Sequence, residues 1–248
     1  MGGVRIIQLA GAIAAAATVL AGCSSGGGQQ TAITPLTPLT QRPAATTSST
    51  APTTTPSTTT TATSTSAVPS TAPGAGAPIA DVSAWVDAAE PVDPDDFRSA
   101  TRDGRTATLG ANQVAFSLPG GSVECMTDSA RIGEGALACL VTLTDPPARP
   151  IGQEGQWVPG WVSFDGAEVV VGAMRGDPGP FSVGAGSALA DGSALKFGDF
   201  RCRSDEQGLF CLNYAQQSAV RLSADGVQPF GCLQRADAPV DASARYSC

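Results

Sequence analysis

The chain has 248 residues, of which 42% are hydrophobic, 5% aromatic and 15% charged, with 22 acidic side chains against 14 basic ones and no histidine. The lack of histidine excludes a Ser-His-Asp or Cys-His catalytic apparatus and any His-ligated metal. A net charge of −8 with a single lysine argues against nucleic acid as a partner, and seven cysteines without a Cys-x-x-Cys pair point to disulfides rather than zinc.

Arg5 and the free amine form a positive n-region ahead of an apolar run from Ile6 to Leu20, broken by Gln8, Gly11 and Thr18. At roughly 15 residues and ~1.5 Å per residue the run is too short to cross a ~30 Å hydrocarbon core as a helix, so residues 1–22 read as a signal peptide. Leu20-Ala21-Gly22-Cys23 ends the run and is similar to the bacterial lipobox, in which small residues precede the cut and the cysteine thiol takes a diacylglyceryl group. Cys23 is therefore the expected lipidation site and membrane tether. Two acyl chains at ~0.8 kcal/mol per buried CH₂ suffice for stable anchoring.

Residues 23–78 are almost entirely Thr, Ser, Pro, Ala and Gly, with runs such as Thr53-Thr54-Thr55 and Arg42 as the one charge. Such a segment buries too little apolar surface to offset its conformational entropy and is expected to be a disordered stalk. Whether it carries O-linked sugar or is a bare linker is open.

Residues 79–248 hold all 22 acidic side chains and 12 of the basic ones, within single-domain size. Val82 to Ala89 predicts a short helix ending before Pro91, and Asp93-Pro94-Asp95-Asp96-Phe97 a turn followed by a helical turn. Alternation at Val114, Phe116 and Leu118, resuming at Val123 and Cys125 after Pro119-Gly120-Gly121, predicts two strands and a turn. Further strands are expected at 136–143, 161–164, 168–174, 195–203, 209–214 and 220–222. The fold class is mainly β, an antiparallel, sandwich-like and disulfide-stapled domain with short helical caps.

Six cysteines remain for pairing in an oxidising compartment. A hairpin loop over Asp205–Gly208 sets Cys202 opposite Cys211, within disulfide reach. Cys125 and Cys139 close a second short excursion, which leaves Cys232 with Cys248.

Phe116-Ser117-Leu118-Pro119-Gly120-Gly121-Ser122-Val123-Glu124-Cys125 resembles a Phe-x-Ser-Pro-Ser-Gly-Asn-Ile-x-Cys segment of secreted and lipid-anchored actinobacterial proteins. Phe197 to Cys202 with Gly208 to Asn213 resembles the second cysteine hairpin of the same group, the mycobacterial Lpp-type cell-envelope lipoproteins. Leu118, Gly120 and Ser122 depart from its Ser, Ser and Asn. The resemblance implies an exported protein lipid-anchored on the outer face of the plasma membrane. It supplies no activity and no catalytic residues.

Candidate chemistry is sparse. Asp165 with Glu168, or Asp199 with Asp205, are nominal acid-base pairs, but each sits beside a glycine turn where Asp is a good turn residue. Asp93, Asp95 and Asp96 lack EF-hand spacing and read as helix caps rather than calcium ligands. Lys196 reads as a solvated strand residue. Arg201 and Arg203 share one strand face and would grip an anion or face solvent. Trp157 and Trp161 would line a carbohydrate or lipid groove or pack in the core. No catalytic residue, metal or cofactor is expected. The expectation is a non-enzymatic binding module for an envelope protein, glycan or lipid. The alternatives are a carboxylate-dependent cell-wall glycan hydrolase and a structural or immunomodulatory surface lipoprotein.

Overall fold

The structure, a computed structural model, describes residues 70–248; the expected signal segment, Cys23 and most of the expected stalk lie outside the described residues. Helix α1 (Ile79–Asp87) opens the fold. The strands follow in chain order: β1 (Glu90–Pro91), β2 (Ser99–Arg102), β3 (Arg105–Thr108), β4 (Ala115–Ser117), β5 (Val123–Met126), then helix α2 (Ser129–Ile132) and β6 (Leu137–Val141). They continue with β7 (Gln156–Phe164), β8 (Glu168–Arg175), β9 (Ala185–Ala188), β10 (Ser193–Phe197), β11 (Phe200–Asp205) and β12 (Gly208–Asn213). The last are β13 (Ser218–Ser223), β14 (Gly226–Gly231), β15 (Gln234–Ala236) and β16 (Ala244–Ser247).

The strands form two sheets. One has six strands in the order β1-β10-β11-β12-β13-β14, the other ten in the order β15-β16-β8-β7-β6-β5-β4-β9-β2-β3. Pairing is antiparallel except at β1–β10 and β4–β9, so both sheets are mixed within the mainly antiparallel β domain that is expected. The expected strand at 195–203 is two strands, because Gly198 takes φ 49° and turns the chain between Phe197 and Phe200. The hairpin β2–β3 turns through Asp103 and Gly104, both at positive φ, as a two-residue turn of matching twist requires. Its Arg-Thr-Ala-Thr sequence carries no apolar alternation, so the pattern does not announce it.

Two meanders dominate, β4 to β8 and β10 to β14, and their registers correspond. In the first, Phe116 faces Cys125, Cys125 faces Cys139, Cys139 faces Val162 and Val162 faces Val171. In the second, Leu195 faces Cys202, Cys202 faces Cys211, Cys211 faces Val220 and Val220 faces Pro229. Each meander thus carries a disulfide between its second and third strands, in the same row. Cα separations are 4.1 Å for Cys125–Cys139 and 4.0 Å for Cys202–Cys211, the close approach of directly opposed strand residues. The third bridge joins Cys232 to Cys248.

Both rows, apart from Pro229, lie in one apolar cluster between the sheets, with Phe97, Leu137, Phe164, Phe200, Leu209 and Leu222. The outer face of the six-stranded sheet presents Phe210, Leu212, Ala219 and Phe230, covered by Val82, Trp85 and Val86 of α1. Strand β12 is consequently buried on both faces along its length. Ala72 and Ala77 also pack against the α1 cluster, so the packed part takes in residues that composition assigns to the stalk. On the far face of the ten-stranded sheet, Met126, Ala138 and Trp161 pack with Phe181 from a 3₁₀ turn at Gly179–Val183. Where β7 crosses β6, a β-bulge falls between Val158 and Val162. Gly160 sits there because a β-carbon would overlap the Val141 carbonyl.

Cross-linking Cys202 to Cys211 closes a loop of 9 residues' separation, for which chain entropy gives about 3 kcal/mol. The double substitution Cys202→Ala/Cys211→Ala is expected to lower unfolding free energy by that order in non-reducing urea titrations, leaving the midpoint lower and the slope little changed.

Candidate functional site

A cleft of ≈ 690 Å³ opens at one end of the sandwich, where turns of both sheets meet. The six-stranded sheet contributes Lys196, Phe197, Asp199 and Phe200 from the β10–β11 turn, and Asn213 and Gln216 from the β12–β13 turn. The ten-stranded sheet and its connections contribute Asp165, Gln113, Thr127 and Glu134, while Arg98 follows the 3₁₀ turn Pro94–Phe97.

The floor is fixed by contacts between the sheets. Gly166, at φ 97°, lies so close to the Asn213 amide that a β-carbon would overlap it. The buried Ser218 hydroxyl donates to the Gly166 carbonyl. Asn213 Oδ1 accepts from Gln216 N–H at 3.0 Å, which shapes the β12–β13 turn. Phe197 stacks on Phe200 at 5.6 Å and approaches Phe116 at 5.8 Å, so the aromatic wall is continuous with the core.

The nominal carboxylate pairs separate. Asp165 Oδ1 accepts from the N–H groups of Ala167 (2.9 Å) and Glu168 (2.7 Å), holding the β7–β8 turn, while Glu168 pairs with Arg245 at 3.5 Å. Asp199 and Asp205 flank β11 at opposite ends, and Asp205 Oδ1 caps Gln207 N–H. The carboxylates that line one cleft are instead Asp165 and Asp199, from different sheets, with Glu134. Sequence separation hides this, since Asp165 and Asp199 stand 34 positions apart and on different sheets. Asp93 accepts from Asp95 N–H at 2.9 Å and Asp95 binds Arg98 Nε at 2.6 Å, so this acidic run caps its own 3₁₀ turn.

Arg201 and Arg203 do share a face, but α1 lies on it and leaves both half-buried and engaged. Arg201 Nη1 pairs with Asp87 at 3.3 Å and Nη2 donates to the Ala89 carbonyl at 3.2 Å. Arg203 lies 3.6 Å over the Trp85 ring and donates to the Trp85 carbonyl. Burial lowers the Arg203 pKa from its ordinary value, offset in part by Asp205. The two guanidinium groups thus stand at the C-terminal end of a helix whose last turn has no basic residue of its own, the end that favours cations.

The indoles do not line the cleft. Trp161 is buried, set edge-on to Phe181 at 5.5 Å with the Arg175 guanidinium 4.2 Å from its ring and its N–H on Ser163 Oγ. Trp157 donates to the Pro147 carbonyl at 2.9 Å and lies against Gly172. Both serve packing, Trp161 within the cluster on the far face of the ten-stranded sheet and Trp157 against Gly172 of β8. Lys196 is exposed at the cleft edge, its ammonium 5.9 Å from the Tyr214 ring.

Tyr214, beside the cleft, donates its hydroxyl to Asp87. Burial, reinforced by this carboxylate, pushes its pKa from 10.0 up to about 12. The folded state then holds the proton more tightly than the unfolded chain. This contribution to stability is complete below pH about 10 and lost as pH rises through about 12. Thermal melts from pH 8 to 12 are expected to show a steeper alkaline fall for the native chain than for Tyr214→Phe. No known protein family, curated protein or solved structure matches the chain.

Proposed function

We propose that the chain is an exported, lipid-anchored envelope protein of the Lpp type, tethered through Cys23, whose domain works as a non-catalytic binding module with the two-sheet cleft as its ligand site. Three disulfides fit an oxidising compartment outside the cytosol, and no helix among the described residues is long and apolar enough to cross a membrane. The lipobox-like Leu20-Ala21-Gly22-Cys23 supports the anchor.

The cleft carries this reading. It is of ligand-binding size, combines a phenyl wall with amides from Gln113, Asn213 and Gln216, and offers Lys196 and Asp199 without an ion-pair partner among the described residues. An apolar wall with convergent amides suits a hydroxyl-rich ligand such as an envelope glycan. The second reading, a carboxylate-dependent glycan hydrolase, draws support from Asp165 and Asp199 sharing the cleft, but Asp165 is already engaged by two backbone N–H groups.

Calorimetric titration of the detergent-solubilised full chain with cell-wall glycan fragments tests the module. Saturable binding weakened about tenfold or more by Phe197→Ala, with an unchanged melting temperature, is the expected result. Absence of saturable binding to glycan, lipid and envelope-protein panels alike would overturn it. Release of new reducing ends, abolished by Asp199→Asn, would transfer the assignment to the hydrolase.

A further inference from the structure

Away from the cleft, two adjoining hollows of ≈ 490 Å³ and ≈ 430 Å³ share one wall residue, Ser182 of the 3₁₀ turn Gly179–Val183. The first is lined by Arg102, Asp103, Arg105 and Thr106 of the β2–β3 hairpin, the second by Arg131, Arg175 and Asp177. Four of the chain's 14 basic side chains therefore meet around a single serine, in a domain whose acidic residues outnumber basic ones 22 to 12.

The arginines are held in place from below. Arg102 Nη1 donates to the Ser182 carbonyl at 3.2 Å, and Arg131 Nη1 donates to Ser182 Oγ at 3.2 Å and to the Gly179 carbonyl at 3.5 Å. Two cations are thus pinned to two oxygens of one residue. Arg175 is fixed by its stack on Trp161. The neutralising contacts are partial: Arg102 to Asp103 at 3.7 Å, Arg131 to Asp128 at 3.4 Å and Arg175 to Asp177 at 3.6 Å. Arg105 is exposed, and its side chain has neither a hydrogen bond nor an ion pair among the described residues.

Like charges gathered on one serine repel, and each guanidinium keeps unused N–H donors in the planar fork that matches tetrahedral oxyanions. We propose that the Ser182 hollows form an anion site for a phosphate group, with Arg102, Arg105 and Arg131 as its ligands and Arg175 as a positioning residue. The site is independent of the cleft. A lipid headgroup and a phosphorylated envelope glycan both present this chemistry.

The test is calorimetry on the detergent-solubilised full chain with three probes: inorganic phosphate, a glycerophosphodiester and a sugar phosphate monoester. One-to-one binding that weakens with added salt is expected, with an affinity loss of about tenfold or more in Arg102→Gln and Arg131→Gln. Arg105→Gln touches no hydrogen bond of the fold and is expected to weaken binding without lowering the melting temperature, which separates a lost ligand from a lost fold. Tighter binding of the diester identifies a headgroup, tighter binding of the monoester a glycan, and equal binding the phosphate group itself. Asp199→Asn in the cleft is expected to leave all three affinities unchanged. No saturable binding of any probe by about 10 mM, or affinities unaltered in the Arg105→Gln and Arg131→Gln variants, would overturn the assignment.

Discussion

The architecture depends on the apolar layer between the two sheets, and within it on two rows of residues centred on disulfides. The 8 Phe, 3 Trp and 2 Tyr of the chain are few large side chains with which to fill such a layer. Cys125–Cys139 and Cys202–Cys211 fill it while fixing the register of the strands that carry them, because directly opposed cysteines allow no slip. Phe164 against Phe200, edge to face at 5.3 Å, adds an aromatic contact from one sheet to the other. Once register is set, the turns at each end are set as well, and the cleft is the space those turns leave.

The outer faces are closed by different means. Helix α1 lays Val82, Trp85 and Val86 on the six-stranded sheet, and two arginines and a tyrosine of that sheet grip its C-terminal end. The ten-stranded sheet is covered by short pieces, α2 and the 3₁₀ turn carrying Phe181, beside its own edge hairpin β2–β3. This second closure assembles arginines from distant parts of the chain around Ser182. The first consumes Arg201 and Arg203 in fastening a helix.

Much of the fold was legible in local pattern. Alternation at Val114, Phe116 and Leu118 marks residues that do enter the core, and the spacing of Cys202 and Cys211 about Asp205–Gly208 sets the observed register, Ser204 opposite Leu209 and Cys202 opposite Cys211. The loop proves tighter than expected, since Asp205 and Gly208 still pair across the ladder. What pattern could not supply was occupancy. Alternation puts Arg201 and Arg203 on their shared face, yet what covers that face is a helix more than a hundred residues away. Trp157 and Trp161 lie on a bulged strand, where alternation no longer tells which side a residue takes. The cleft was illegible for the same reason: Asp165 and Asp199 are brought together by sheet packing, to which neither local sequence refers.

The corresponding registers of the two meanders carry one further implication. Each meander displays its cystine on the face turned toward the other, so neither face is fit for water on its own. The two meanders are successive in the chain, and β9, in the connection between them, pairs with β4 of the first. A backbone cut in the 176–192 connection would therefore yield two fragments held across a buried seam with no covalent bridge between them, because every disulfide closes within one fragment; the C-terminal one would still pair its β16 with β8 of the other.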